Sequence, residues 1–95
     1  SSTQSTKFLF NSWNPGTFHN HMQSIRYHHQ KHGGEQSVLE YTKKALEFFQ
    51  TNFSEARKIR LTNGQTGYSI KLKNNGVRSG GYWTENGEII TFWSH

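Results

Sequence analysis

The sequence predicts an α+β fold in which two N-terminal helices pack on one face of a four-stranded antiparallel β-meander. Up to about Phe53, apolar residues recur at spacings of three and four, as on a helix; after Ser54 they alternate with polar residues, as on strands. Three turns rich in Asn and Gly divide this second half into four short runs. The 95 residues make one domain, residues 1–95, in which we expect residues 1–16 to form a lead-in.

The lead-in and the first helix are predicted from turn and cap signals. Residues 7–10 form a short apolar run that we interpret as a strand or an anchoring segment, and residues 11–16 contain a Pro-Gly turn. A helix then begins near Thr17 and ends before Gly33-Gly34, because Gly tolerates the left-handed conformation that closes helices. Its core-facing stripe is predicted to be Phe18, Met22, Ile25, His29 and His32, with His28 nearer the rim.

The second helix is predicted over residues 38–52. Ser37 and Glu40 have the spacing of a capping box at its start. We expect its apolar stripe to build the core: Val38, Tyr41, Ala45, Phe48 and Phe49, with Leu39, Leu46 and Phe53 beside it.

Four strands are predicted at residues 58–62, 68–73, 77–84 and 88–93, with Gly80-Gly81 marking a bulge or a close approach of backbones. Alternation predicts one face that packs on the helices: Ile59, Leu61, Tyr68, Ile70 and Leu72. The other face is predicted to be open and cationic: Lys58, Arg60, Thr62, Ser69, Lys71 and Lys73. Because like charges on neighbouring strands repel, a face of one sign indicates an anionic ligand.

Charge is the main global clue to function. The chain has 11 Lys and Arg, six Glu and no Asp, for a net charge of +5. Between Ala56 and Thr84 every charged residue is a cation: Arg57, Lys58, Arg60, Lys71, Lys73 and Arg78. Such a patch attracts nucleic acid, and it would also attract an anionic membrane surface or an acidic protein. There is no Cys for a thiol nucleophile, and no apolar run approaches the roughly 20 residues that span a bilayer.

The histidine-rich segment at residues 25–34 carries the candidate chemistry. His28, His29, Lys31 and His32 fall in the last turns of the predicted helix, where the helix dipole favours positive charge. Imidazole gains and loses a proton near neutral pH, and Lys and Arg hold phosphate. These residue types suit RNA cleavage without a metal or other cofactor. In that reaction the 2′-hydroxyl attacks the adjacent phosphate, aided by a general base and a general acid. The alternative without a catalytic role is a solvated, positively charged helix end.

Zinc binding is the rival chemistry for the histidines. His19, His21, His28, His29 and His32 could supply ligands. No carboxylate lies nearby before Glu35, however, and the spacing matches no closed zinc site. We therefore rank zinc below RNA cleavage and expect no metal.

Three motifs follow one another along the chain: residues 27–33, residues 37–41 with Ala45, and residues 87–93, which contain the last predicted strand. Their order resembles C-terminal ribonuclease toxin domains of bacterial polymorphic and contact-dependent inhibition toxins, which share the barnase/EndoU/colicin/RelE-like fold. The resemblance implies metal-independent cleavage of RNA, frequently tRNA, and neutralisation by a cognate immunity protein. It implies roles for Lys31, His32, His28 and Thr91, with His29 as a further candidate. From charge alone, we expect RNA binding by Arg60, Lys71, Lys73, Arg78 and Lys58.

Two other classes of function stay open at this stage. One is a non-catalytic nucleic-acid-binding domain with a basic sheet face, in which histidine substitutions would be tolerated. The other is a module that binds an acidic protein. Because the chain begins with Ser rather than Met, we expect a piece of a larger secreted or cell-surface-delivered toxin that acts in the cytoplasm of a target cell, with an acidic immunity protein as partner.

Overall fold

The structure, a computed structural model, is described for residues 2–15 and 21–94, and for the side chains of residues 7–15 and 22–94. Its helices are α1 (Ser2–Ser12), α2 (His21–His32) and α3 (Val38–Thr51), followed by a 3-10 turn at Phe53–Glu55. The strands are β1 (Arg57–Arg60), β2 (Thr66–Asn74), β3 (Val77–Thr84) and β4 (Ile89–Ser94). They form one antiparallel sheet in the order β1-β2-β3-β4. The predicted α+β meander is confirmed, with one helix more than expected.

The extra helix is α1, so the strand interpretation of residues 7–10 was wrong. Four apolar or basic residues are too few to show a helical period in the sequence. In the structure, the Trp13 N–H donates to the Leu9 carbonyl at 3.2 Å, as in a helix. The Ser12 hydroxyl donates to the Phe8 carbonyl at 2.6 Å. Leu9 packs against the core, and α1 lies on α3. Among the described residues, no helix is long and apolar enough to cross a membrane.

Helix α3 begins and ends close to the prediction. The Ser37 hydroxyl accepts a hydrogen bond from the Glu40 N–H at 3.1 Å, which is one half of the capping box. Tyr41, Thr42 and Ala45 are buried, and Phe48 and Phe49 stack on the indole of Trp83. This helix therefore covers the inner face of the sheet.

Trp13 lies at the centre of the core, although the sequence placed it in a turn. Its side chain is fully buried, and its Nε1–H donates to the Thr42 hydroxyl at 2.8 Å. Its ring stacks on Tyr41 on one side and on His28 on the other, with centroid distances of 5.7 and 5.8 Å. The backbone beside it pairs with Ile89 of β4. Trp13 thus joins all three helices to the last strand.

Helix α2 is rotated relative to the predicted stripe. Ile25 is buried, and His29 and His32 are half-buried, as predicted. His28, expected nearer the rim, is buried together with Ser24, whereas Met22 is 38% exposed. The rotation differs because α2 carries few apolar residues, so the stacking of His28 on Trp13 decides it. Phe18 lies outside the described residues. The end of the helix is as predicted: α2 stops at His32, and Gly34 has the left-handed φ of 60°.

The register of the sheet corrects the assignment of β1 to the two faces. Residues directly opposite in an antiparallel pair share a face, and Ile59 lies opposite Gly67 while Lys58 lies opposite Tyr68. Ile59 and Leu61 therefore lie on the open face, and Lys58 and Arg60 project from the other face. Alternation shows which residues of a strand share a face but not which face meets the helices, and for β1 the pairing with β2 decides this.

The predicted close approach at Gly80-Gly81 is confirmed, and the bulge lies elsewhere. A Cβ at Gly80 would lie 2.9 Å from the Trp93 ring, so glycine leaves the space that this indole occupies. The register shifts between Tyr82 and Trp83: Tyr82 faces Thr91, and Trp83 faces Ile89, which leaves Ile90 as the extra residue. Ile89 and Thr91 would share a face on a regular strand; the bulge sends Ile89 into the core and Thr91 to the open face.

Candidate active site at the edge of the sheet

The centre of the site is a hydrogen bond between helix α2 and strand β4. His28 Nδ1 lies 3.2 Å from the Thr91 hydroxyl. His28 is 8% exposed, its ring lies parallel to that of Trp13, and Tyr27 contacts it edge-on. These contacts hold the imidazole in one orientation at the β4 edge of the sheet.

His32 and Trp93 continue the site one helical turn further along. The His32 ring lies parallel to His28, with a centroid distance of 6.4 Å, and it lies 6.4 Å from the indole of Trp93. Lys31 is exposed, with Nζ 5.5 Å from the centre of the Tyr27 ring. The structure thus brings together three residues predicted from the motifs, His28, His32 and Thr91, and leaves Lys31 at the rim.

The open face of the sheet begins at Thr91, the partner of His28. The register aligns Thr91, Tyr82, Ser69 and Arg57 in a row across all four strands. The next row aligns Trp93, Gly80 and Lys71, and Lys71 Nζ lies 5.6 Å above the centre of the Tyr82 ring. The four strands contain cations and no acidic residue. A bound anion at Thr91 would therefore lie in a positive field.

The other predicted cations are further away. Lys73 and Arg78 face each other at the far end of the β2–β3 hairpin. Lys58 and Arg60 belong by register to the opposite face, although Arg60 borders a cavity on the open side. Of the RNA-binding candidates, Lys71 is the one that the register places in the same row as Trp93, the residue that contacts His32.

His29 occupies a structural position. Its Nε2 lies 2.6 Å from the Gln36 carbonyl oxygen, and its ring contacts Tyr41 edge-on. A Cβ at Gly33 would lie 2.5 Å from this ring, so glycine makes room for it. His29 thereby ties the end of α2 to the loop that precedes α3.

No group of three His, Cys, Asp or Glu side chains that could hold a metal ion occurs among the described residues. His19 and the side chain of His21, which belong to the zinc alternative, lie outside them. His95 lies outside them as well.

Burial gives His28 an unusual acidity. Desolvation, together with the positive charge of neighbouring His32 and Lys31, lowers the pKa of His28 from 6.5 to about 4. At neutral pH its imidazole is therefore uncharged and can accept a proton. Burial also raises the pKa of Tyr41, whose hydroxyl donates to the Phe92 carbonyl.

The lowered pKa of His28 predicts a loss of stability in mild acid. Between pH 6.5 and 4 the unfolded chain binds a proton that the folded chain excludes, so the free energy of unfolding falls as the pH falls. After allowance for solvent screening, we expect His28 to contribute on the order of 2 kcal/mol to this loss. Urea unfolding at pH 7, 5.5 and 4.5 measures it. His28→Gln should lose less stability over this range than the wild type; an equal loss would contradict the prediction.

Two aromatic residues of the site, Tyr82 and Trp93, were not singled out from the sequence. For Tyr82 the sequence does contain a signal, which is the turn at Asn75-Gly76. Asn75 and Gly76 have positive φ, of 52° and 82°. Asn-Gly favours such a two-residue hairpin turn, and this turn places Tyr82 opposite Ser69. The bulge at Ile90 has no comparable signal.

One comparison finds a protein of known activity with a similar sequence. The chain is 40% identical over 84 residues to the tRNA(Glu)-specific nuclease WapA of Bacillus subtilis subsp. natto (strain BEST195). The alignment covers 84% of this chain and 3% of that protein. No protein-family model matches the chain, and no solved structure matches it. The chain is thus similar to a small part of a tRNA-specific nuclease, and the toxin family named from the motifs stays a prediction.

Proposed function

We propose that the domain is an endoribonuclease that cleaves tRNA without a metal ion, by attack of a 2′-hydroxyl on the adjacent phosphate. The observation that carries the proposal is the uncharged His28 bonded to Thr91 at the edge of a cationic, acid-free sheet face. The similarity to a tRNA-specific nuclease supports the choice of substrate class.

His28 is assigned as the general base. If Nδ1–H donates to the Thr91 hydroxyl, the lone pair lies on Nε2, which removes the proton of the 2′-hydroxyl. Thr91 fixes the tautomer and the ring plane, so it acts as a positioning residue. A bound phosphate would offset the positive charges of His32 and Lys31, and so raise the proton affinity of His28 as the substrate binds.

His32 is assigned as the general acid. Its ring lies one helical turn from that of His28, so both imidazoles could reach one phosphate. The proton of protonated His32 passes to the 5′ oxygen as the P–O5′ bond breaks. The products are a 2′,3′-cyclic phosphate and a 5′-hydroxyl. Lys71 in the neighbouring row, and Lys31 at the rim, would stabilise the phosphorane oxygens.

The cleavage chemistry can be tested without any variant. We expect the domain to cut total tRNA equally well with and without EDTA, to leave 2′,3′-cyclic phosphate ends, and to spare the same sequence as DNA, which lacks the nucleophile. Gel electrophoresis with end-group analysis measures all three. Activity that is lost with EDTA and restored by zinc would overturn the proposal in favour of a histidine metal site. Binding without cleavage would leave the non-catalytic alternative.

The proposed cellular setting follows from the same activity. As part of a larger toxin, the domain would be delivered into the cytoplasm of a target cell. In the producing cell it would be masked by an acidic immunity protein that covers the open face. Arg57, Lys71, Lys73 and Arg78 belong to that face by register, so the complex should weaken with added salt. Salt-independent binding would contradict this placement of the inhibitor.

A further inference from the structure

A cavity of about 460 Å³ lies on the open face between β1 and the His28–Thr91 pair. Its apolar walls come from Ile59 and Leu61 on one side and Ile90 on the other, and Ser69, Tyr82 and Lys71 also line it. This size is within the usual range for pockets that take small organic groups. Apolar surface is unexpected on this face, whose charged residues are all cations.

The side chains that line the cavity are suited to one chemical class. Aliphatic walls and an aromatic ring suit a flat, weakly polar group. The Ser69 hydroxyl makes no hydrogen bond to another described residue, so it can donate or accept. Lys71 lies above the Tyr82 ring and can pair with a phosphate at the rim. A nucleobase attached to a phosphate backbone has both properties.

The geometry points to a subsite for one unpaired nucleobase, next to the cleaved bond, and we propose that single-stranded RNA places a base there. This inference rests on the proposed function and names a specificity site for it. Ser69 and Thr91 lie in the same row two strands apart, a separation of about 10 Å at the usual strand spacing. A base in the cavity therefore belongs to a nucleotide adjacent to the one at His28.

The β4 bulge couples the subsite to the catalytic pair. Ile90, the extra residue, forms a wall of the cavity, and the same bulge turns Thr91 toward His28. A base that packs on Ile90 would thereby set the position of the phosphate relative to Thr91. Because bases in a duplex are stacked and paired, only an unpaired stretch such as a loop can enter. The subsite thus predicts a preference for unpaired RNA.

The experiment measures binding without cleavage. The ligand is a fluorescein-labelled 2′-O-methyl trinucleotide, which has no 2′-hydroxyl to attack, and the matched probe is the same trinucleotide with abasic sites. We expect the wild-type domain to bind the best of the four base compositions about tenfold more tightly than the abasic probe. Ser69→Leu, which narrows the cavity and removes its hydroxyl, should remove this tenfold difference and leave binding of the abasic probe unchanged.

A wall variant and a control make the test independent of folding. Ile59→Ser should weaken base-dependent binding, whereas Val77→Ser, an exposed aliphatic position outside the cavity, should not. Equal binding of both probes by the wild type would overturn the subsite, as would base-dependent binding that survives both Ser69→Leu and Ile59→Ser. Weaker binding of an acidic inhibitor by these variants, with oligonucleotide binding intact, would assign the cavity to a protein interface and also overturn it.

The outcomes separate this inference from the proposed function. A domain that cleaves tRNA normally and whose Ser69→Leu and Ile59→Ser variants both keep the base-dependent binding would retain the function and lose the subsite. A domain that shows the base-dependent binding and leaves tRNA intact would retain the subsite and lose the catalytic assignment.

Discussion

His28→Gln is expected to lower the rate of RNA cleavage by a factor of about 10²–10⁴, the usual contribution of a positioned general base. Glutamine keeps a polar group near the Thr91 hydroxyl but cannot take up a proton at neutral pH. Initial rates of tRNA cleavage measure the effect, with circular dichroism to show that the variant is folded. His29→Gln is the matched control: His29 contacts Gln36 and Tyr41 rather than Thr91, so a folded His29 variant should retain most activity.

The pH profile distinguishes a catalytic role for His28 from a structural one. The base works uncharged, and its pKa of about 4 keeps it so throughout mild acid. The acid limb of kcat/KM attributable to His28 should therefore lie near pH 4, well below the 6.5 of an ordinary histidine. If His28→Gln retains this limb and cleaves at the wild-type rate, His28 has no part in the reaction.

Trp13→Ala is expected to lower the free energy of unfolding by about 3–5 kcal/mol, as for other large core aromatics. The change empties the space between Tyr41 and His28 and leaves the buried Thr42 without its indole donor. Urea unfolding at pH 7 measures the loss. Because the same ring supports the His28 imidazole, cleavage by the folded fraction should fall as well.

Two further variants locate the source of the Trp13 effect. Trp13→Phe keeps a ring in the stack and loses the Nε1 hydrogen bond, so it should cost about 1–3 kcal/mol, less than alanine. Phe10→Ala, in helix α1 just before Trp13 but 37% exposed, should cost clearly less than Trp13→Ala. If Trp13→Ala costs no more than Phe10→Ala, Trp13 does not hold the helices together.

The short-range features were predictable because a few neighbouring residues decide them. Ser37 caps α3 through its own hydroxyl, and Gly34 adopts the left-handed φ that ends α2. Alternation and Asn-Gly turns marked the four strands and their order. The motifs also make His28, His32 and Thr91 candidates, and the fold brings them to one edge of the sheet; their catalytic roles stay a prediction.

Packing between distant segments decided the features that the local sequence pattern did not predict. Local pattern placed Trp13 in a turn, yet contacts with Thr42, 29 residues away, and with His28 make it the centre of the core. The face that α2 turns inward follows from that stack, and burial there lowers the pKa of His28.

Helices α2 and α3, the four strands and their order, the excess of cations and the three histidines at a helix end follow from the sequence, because they depend on composition and on spacings of two to four residues. Which faces meet depends on tertiary contacts. Two examples are the orientation of β1, where Ile59 rather than Lys58 lies on the open face, and the bulge at Ile90 that turns Thr91 toward His28. A shift of one residue in a strand reverses every side chain beyond it, and that choice is made by contacts from the whole fold.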